Sequence, residues 1–195
     1  MKKILFALLF ALCFTPAYSY WGVGFKYGQA PVSASYIGYN TDSVSGNKDF
    51  GGIELIYTYE AEIDAISLSL GFDIYDTVTV NRYTSTSLYY YSYWHDQNDI
   101  INTSAVPFKI SYQYKLLPSL FVGAGTGLTL INKGGHCKRK IFPHIDLGAE
   151  WRPFSRIGLG VDFAYNMGSS VENQLGNAKR DIDGISTSFS ARVYF

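Results

Sequence analysis

Cysteine is scarce in this chain, with 2 residues among 195, and one of them, Cys13, lies in an apolar segment near the N-terminus. The other, Cys137, has no partner for a disulfide bond within residues 20–195. An exported domain without disulfides must be held together in another way. Long apolar runs are also missing after residue 19, where none approaches the roughly 20 residues of a membrane-spanning helix. Any membrane passage would therefore require a closed β-barrel, because lipid leaves no backbone group unpaired.

Charged residues are few, at 16% of the chain, and the two signs are balanced. Without Lys2 and Lys3, which precede residue 20, the 16 basic residues become 14 against 16 acidic residues, a net charge of about −2. This composition gives no basic surface of the kind that binds nucleic acids, so no nucleic-acid partner is predicted. Tyrosine, by contrast, is abundant, with 17 residues, as expected where aromatic side chains lie at a membrane interface.

The N-terminal segment has the features of a secretory signal peptide. Two lysines follow the first methionine, residues 4–14 are apolar, and residues 17–19 (Ala-Tyr-Ser) fit a cleavage site. The apolar part is too short to cross a membrane as a helix. We therefore predict a signal peptide over residues 1–19 and a single domain over residues 20–195.

Two-residue alternation is the dominant pattern of that domain. In residues 184–195, every second position is mostly apolar, and the positions between are polar and include Arg192. Since successive side chains of a strand point to opposite faces, this segment predicts a strand with one apolar and one polar face. Similar segments predict eight strands, at about 20–29, 52–60, 65–75, 104–115, 120–130, 142–152, 156–166 and 184–195.

The connections between these strands alternate between long and short. Residues 30–50, 131–140 and 167–183 are predicted as long loops, and residues 76–103 as a hairpin that extends the third and fourth strands. Pro107 removes a ladder donor, which predicts a bulge or a position at the outer end of its strand. The segments have about the 9–11 residues of a tilted membrane strand. The sequence thus predicts an all-β, eight-stranded antiparallel up-and-down transmembrane barrel.

The polar faces of the predicted strands carry all of the charge. Nine glycines share these faces, at positions 22, 24, 71, 123, 125, 127, 148, 158 and 160. A soluble lipocalin would also be a secreted eight-stranded barrel, with its apolar face turned inward. The glycines favour the opposite arrangement, because small residues are needed where eight strands surround a narrow interior. The predicted interior network, which includes one histidine, consists of Lys26, Glu54, Glu60, Asp73, Lys109, Lys115, His144, Asp146, Glu150, Arg152, Asp162 and Arg192.

The final strand and the loop asymmetry resemble those of small eight-stranded bacterial outer-membrane β-barrels, typified by the OmpA transmembrane domain and OmpX. The resemblance covers residues 20–195. It implies export to the outer membrane, contact with membrane lipids and lipopolysaccharide, tight turns in the periplasm and long loops outside. It also implies that the barrel-assembly machinery reads the terminal strand through Phe189, Val193, Tyr194 and Phe195. A periplasmic aromatic girdle is predicted at Trp21, Tyr59, Tyr114, Trp151 and Phe195.

These expectations leave several functions open. A paired interior predicts a plugged barrel with a structural or surface-interaction role, and a small pore is the alternative. A lipid A-modifying enzyme is less favoured: His144 shares a face with Asp146, but no histidine-x-serine motif and no N-terminal amphipathic helix resemble those of the enzymatic barrels. No catalytic residue and no cofactor are predicted, and the pair His136 and Cys137 offers too few ligands for a metal site.

Two loop clusters are candidates for surface contacts. Basic side chains at the outer rim could bind lipopolysaccharide phosphates, or form an ordinary solvated loop. They are Lys133, Lys138, Arg139 and Lys140. Exposed aromatic side chains could bind an extracellular ligand or host surface, or could pair across an extended hairpin. They are Tyr89, Tyr91, Tyr93 and Trp94.

Overall fold

The computed structural model describes residues 18–36, 44–88, 91–133, 140–168, 170–172 and 178–195. Within these ranges, no helix is long and apolar enough to cross a membrane. The predicted signal peptide lies outside them except for Tyr18 and Ser19, which begin the first strand. The described residues form ten strands: β1 (Tyr18–Tyr36), β2 (Val44–Glu60), β3 (Asp64–Leu88), β4 (Tyr91–Leu117), β5 (Leu120–Lys133), β6 (Lys140–Phe154), β7 (Ile157–Asn166), β8 (Ser170–Glu172), β9 (Ala178–Asp181) and β10 (Gly184–Tyr194).

Eight of these strands close into a barrel. Strands β1 to β7 pair antiparallel with their neighbours in chain order, and β10 pairs with β7. The ring closes between β1 and β10, where Val23 lies opposite Val193 and the backbones of Trp21 and Phe195 exchange two hydrogen bonds. The predicted fold class, an eight-stranded antiparallel barrel, is confirmed. Closure matters because it leaves no unpaired edge around the wall.

The strands run well past the predicted boundaries at the long-loop end. The prediction of a loop over residues 30–50 was wrong for most of its length: β1 continues to Tyr36, β2 begins at Val44, and Ala34 pairs with Val44. Polar residues at many of these positions suggested a loop, but alternate residues such as Ala30 and Ala34 are buried inside the barrel, while Ser33 between them is exposed. The predicted hairpin extension of β3 and β4 is confirmed, with pairing up to Leu88 and Tyr91.

Pro107 lies in the middle of β4 without shifting the register. The pairs Leu70–Phe108 and Asp73–Ala105 belong to one continuous register, and the ladder is simply interrupted between them. The expectation of a bulge or an outer-end position was therefore wrong. Because proline has no backbone N–H, the ladder between β3 and β4 loses pairing at this point, but neither strand gains an extra residue. Gly71 makes room for the ring, since a Cβ on Gly71 would lie 3.0 Å from the proline Cγ.

The outer wall of the barrel is apolar around its whole circumference. Large side chains such as Ile110, Leu147 and Phe163 point outward and are about half exposed. This is the reverse of a soluble barrel, in which such side chains fill the interior. Four of the five predicted girdle residues are exposed at the turn end, and the fifth, Tyr59, is only partly exposed there.

The end of the barrel that faces the cell exterior can be tested by labelling. We expect a membrane-impermeant maleimide to label intact cells at Ser92→Cys, in the β3–β4 hairpin, and not at Ser155→Cys, in the β6–β7 turn. The hairpin belongs to the long-loop end, and the turn belongs to the opposite end. Cys137 is replaced by Ser in both variants so that only the introduced thiol reacts. Labelling at Ser155 but not at Ser92 would invert the topology.

Candidate functional site: the interior of the barrel

The charged side chains singled out from the sequence meet inside the barrel. Each takes part in at least one ion pair or close contact with another member of the set. Three levels can be distinguished along the axis, beginning at the turn end. They result directly from strand alternation, since the residues that precede and follow each charged position face outward.

The level nearest the turns is organised by Glu60 and Arg152. Lys115 Nζ lies 2.8 Å from Glu60 Oε1, and Arg152 Nη1 lies 2.7 Å from Glu60 Oε2. Tyr20, which the sequence analysis did not assign to the network, donates its hydroxyl hydrogen to Glu60 over 2.5 Å. The Arg152 guanidinium also stacks on the Phe121 ring, 4.1 Å from its centroid. An arginine in this position therefore gains both hydrogen bonds and a cation–π contact.

The middle level is centred on Arg192, whose guanidinium reaches three carboxylates. Its Nε donates to Glu54 over 2.7 Å, its Nη2 to Asp162 over 3.2 Å, and its Nη1 to Glu150. Glu150 also accepts a hydrogen bond of 2.7 Å from the hydroxyl of Tyr194. The planar five-donor fork of arginine suits such a multiple contact, which a lysine could not reproduce.

Glycines provide the space for this fork. A Cβ on Gly24 would lie 2.9 Å from the Glu54 side chain and 3.1 Å from Arg192. A Cβ on Gly160 would lie 2.6 Å from the Ser190 hydroxyl and 3.1 Å from Arg192 Nη1. The two glycines lie on β1 and β7, the neighbours of β10 on its two sides, and flank the Arg192 side chain. The close approach of backbone and charge explains why the polar face of these strands carries residues without side chains.

The level nearest the long loops contains two of the three interior lysines and the histidine. Lys109 Nζ lies 2.9 Å from Asp146 Oδ2 and 3.3 Å from Asp162 Oδ1, and Lys26 Nζ lies 2.8 Å from Asp73 Oδ1. His144 also lies at this level. Its Nδ1 lies 3.1 Å from Thr129 Oγ1, and its Nε2 lies 3.9 Å from Asp146 Oδ1.

At the middle and long-loop levels the network leaves little empty space, whereas an open depression of about 450 Å³ lies beside Glu60 and Arg152 at the turn-end mouth. Six carboxylates face five lysine and arginine cations, so most charges are neutralised by a neighbour. A cavity of about 80 Å³ remains at the level of His144 and Asp146. A second cavity, of about 10 Å³, lies closer to the turn end, beside Gly148 and Glu150. The larger cavity can hold a few ordered waters, and the smaller one at most a single water. Among the described residues, none donates a hydrogen bond to the buried Asp146 Oδ1, which gives such a water a partner.

An apolar layer covers the network at the long-loop end, and the sequence analysis did not anticipate it. The buried side chains that form this layer are Ala30, Phe50, Tyr75, Ala105, Ile131, Phe142 and Ile182. Phe50 and Ile182 belong to segments that had been predicted as loops. The only sequence signal for Ile182 was its two-residue spacing from Arg180, which is too short a pattern to indicate a strand.

Arg180, on β9, is fully buried beside this layer. Strand β9 adds to the outer part of β1, where Arg180 lies opposite Ala34. The guanidinium donates to Thr103 Oγ1 over 2.6 Å and to the backbone carbonyl of Asp76 over 3.3 Å. Burial lowers the pKa of Arg180 to about 10, although Tyr75 and Asp76 favour its charged form. This segment of the chain, predicted as a loop, therefore helps to close the outer mouth.

The remaining candidate residues do not form one site. Among the basic residues, Lys140 is exposed at the start of β6 and Lys133 ends β5, whereas Lys138 and Arg139 lie outside the described residues. Of the aromatic residues, Tyr91, Tyr93 and Trp94 pair with Leu88, Thr86 and Ser85, and Tyr89 lies outside. In the terminal strand, Phe189, Val193 and Phe195 are exposed on the outer wall, whereas Tyr194 points inward. Within the described ranges, no group of three or more potential ligands could hold a metal ion.

No protein-family model and no curated protein matches the sequence. Among solved structures, Neisserial surface protein A (NspA) is similar at 14% identity, covering 89% of this chain and 97% of that chain, with a TM-score of 0.46. Ail, the attachment invasion locus protein of Yersinia pestis, is similar at 14% identity, 89% and 98% coverage, and a TM-score of 0.41. A de novo designed transmembrane β-barrel is similar at 15% identity, 88% and 95% coverage, and a TM-score of 0.36.

At these identities and TM-scores, the class of this protein follows from its own geometry. A closed eight-stranded barrel with an apolar outer wall and an ion-paired interior has the architecture of a small outer-membrane β-barrel. The resemblance inferred from the sequence is confirmed at the level of this class. The narrower resemblance to OmpA and OmpX stays a prediction.

Proposed function

We propose that this protein is an outer-membrane β-barrel of a Gram-negative bacterium, exported with a cleaved signal peptide, whose role is structural or surface-interacting. The observation that carries the proposal is the filled interior. Arg192 and Arg152 link carboxylates across the barrel, and the apolar layer lies above them. A narrow barrel filled in this way serves as a rigid support for its outer loops rather than as a water channel.

The extended β3–β4 hairpin supports a role at the cell surface. Its strands pair with each other up to Leu88 and Tyr91, beyond the last β2–β3 pair at Tyr75. A dozen residues per strand project roughly 40 Å at the usual rise. The hairpin contains several tyrosines and Trp94, residue types that are favoured at binding surfaces. An extracellular ligand or host surface is the proposed partner, and Lys133 and Lys140 would meet lipopolysaccharide phosphates at the rim.

A catalytic role for His144 receives little support from its surroundings. The imidazole is buried at the level of Asp146 and Thr129, beneath the apolar layer that includes Phe142 and Ile182. A lipid head group would have to displace that layer to reach it. The contacts of His144 are those of a residue that completes a polar network, and the proposal is accordingly a protein without enzymatic activity.

Planar-bilayer recording of the refolded protein tests the plugged interior. We expect the wild-type barrel to give only rare, small current steps, since moving an interior charge would break a low-dielectric ion pair. Arg152→Ala should increase the frequency of these steps, because it releases Glu60 and Glu150 from their shared partner. Arg156→Ala is the matched control, since Arg156 is exposed in the β6–β7 turn.

Two results would contradict the plugged model. Large, steady steps of a single size from the wild-type protein would favour the small pore instead. Equal step frequencies for the Arg152 and Arg156 variants would show that the ion pairs do not limit ion passage. Because both variants remove one arginine, a difference between them cannot come from net charge alone.

A further inference from the structure

The described part of the outer wall has an apolar groove in its turn-end half. Its volume is about 340 Å³, and its lining is almost entirely apolar. The floor is formed by Leu55 on β2 and by Leu68 and Leu70 on β3. Leu68 is 37% exposed, less than Leu55 at 44% and Leu70 at 50%. The floor of the groove is therefore lowest at Leu68.

The strand register explains why a groove forms at this place. Leu55 pairs with Leu70, so the floor consists of aliphatic side chains on two adjacent strands. Larger rings rise on both sides, with Trp21 on β1 and Phe108 on β4. Tyr57, whose ring centroid lies 5.0 Å from that of Trp21, lines the groove on the same side as Trp21. A channel between aromatic walls and an aliphatic floor matches the shape of an extended hydrocarbon chain.

A carboxylate lies on the same outward face, closer to the turns. Asp64 precedes Leu68 by four residues on β3, a distance of about 13 Å along the strand, and even-numbered positions of this segment point outward. Tyr112, on the neighbouring strand, donates its hydroxyl hydrogen to Asp64 Oδ2 over 3.0 Å. The carboxylate has further acceptor sites. A negative charge on a membrane-facing surface favours a cationic partner.

We propose that this groove and Asp64 together form a binding site for one phospholipid whose head group carries a primary ammonium. One acyl chain lies over Leu55, Leu68 and Leu70, and the ammonium donates hydrogen bonds to Asp64 at the level of the aromatic girdle. The inference rests on the proposed membrane location, with the turn end in the leaflet made of phospholipids. A quaternary choline head group has the same charge but no N–H donor, so it fits the site less well.

The site can be tested by native mass spectrometry of the barrel after reconstitution into vesicles with equal amounts of phosphatidylethanolamine, phosphatidylcholine and phosphatidylglycerol. We expect one lipid to be retained, with the ethanolamine lipid enriched roughly threefold over the choline lipid, as expected for one exposed hydrogen bond from the ammonium. Asp64→Asn should lower the enrichment and keep the lipid, because a neutral amide oxygen is a weaker acceptor for an ammonium than a carboxylate. Leu68→Phe, which fills the groove, should reduce the retention of every lipid.

Leu159→Phe is the matched control, because Leu159 is an exposed leucine on β7, outside the groove. Equal retention by the Leu68 and Leu159 variants would overturn the groove. Unchanged ethanolamine enrichment in Asp64→Asn would overturn the head-group contact. Protease protection of the same vesicles reports membrane insertion separately. A barrel that fails to insert contradicts the proposed function, whereas one that inserts without lipid selectivity contradicts only the lipid site.

Discussion

Replacing Arg192 by alanine is expected to destabilise the barrel by about 3–5 kcal/mol, the cost of removing one partner from a buried ion pair. Arg192 is 7% exposed and hydrogen-bonds to Glu54, Glu150 and Asp162. The other cations that touch Glu150 and Asp162 are Arg152 and Lys109. Glu54 would lose the guanidinium that lies 2.7 Å away. The measurement is denaturant unfolding of the refolded barrel in phospholipid vesicles.

Two further variants separate charge from geometry at this position. Arg192→Lys keeps one positive charge but cannot reach three carboxylates, so its free energy of unfolding should fall between those of the wild type and Arg192→Ala. Arg192→Ala leaves the buried Glu54 carboxylate without its arginine partner. The double variant Glu54→Gln with Arg192→Ala removes this uncompensated charge and should recover part of the stability. If Arg192→Ala is no less stable than Arg156→Ala in the turn, the network does not stabilise the barrel.

Val161→Arg is expected to destabilise the barrel by about 2–4 kcal/mol, because it places a charge near the middle of the lipid-facing wall. Val161 is the third of five outward positions on β7 and pairs with Ala149 and Phe189. The unfolding midpoint in phospholipid vesicles measures the effect. The free energy of unfolding should fall because the guanidinium must remain in hydrocarbon or distort the bilayer to reach water.

Ile157→Arg is the matched control for this substitution. Ile157 also points outward on β7 but lies at its turn end, where the wall meets the membrane interface. Its replacement should cost only about 0–1 kcal/mol, since the cost of a charge falls toward the interface. Equal tolerance of arginine at both positions would indicate that water rather than lipid surrounds the wall. That result would favour a soluble, lipocalin-like barrel over a membrane barrel.

The strand faces were predictable from the sequence to a large extent. Two-residue alternation placed Arg152 and Arg192 on the polar face and Leu147 and Phe163 on the apolar face, and the structure turns these faces inward and outward as expected. The glycines on the polar face indicated that this face points into the barrel, because a crowded interior has no space for larger side chains on every strand. Local patterns are sufficient for such inferences because the orientation of a side chain in a strand depends only on its position.

The outer mouth of the barrel was not predictable in the same way. Phe50 and Ile182 lie in polar segments whose composition indicates loops, and Arg180 lies in a strand of four residues. The placement of Arg180 and Ile182 depends on the pairing of β9 with the outer part of β1, a contact between residues more than 140 positions apart. Short segments carry too little periodicity to show that they pair at all, and only the closed barrel gives them a surface to cover.

The choice of ion-pair partners also belongs to the tertiary structure. The sequence by itself determined that six carboxylates and five cations share an interior, because alternation assigns each of them to the polar face. It did not determine that Arg192 meets Glu54, which lies 138 residues away, or that Lys109 meets Asp162. Those pairs depend on the register of every strand between them and on the closure of β1 with β10. A shift of one residue in any ladder would exchange the inward and outward faces, so the partners are set only when the whole ring is assembled.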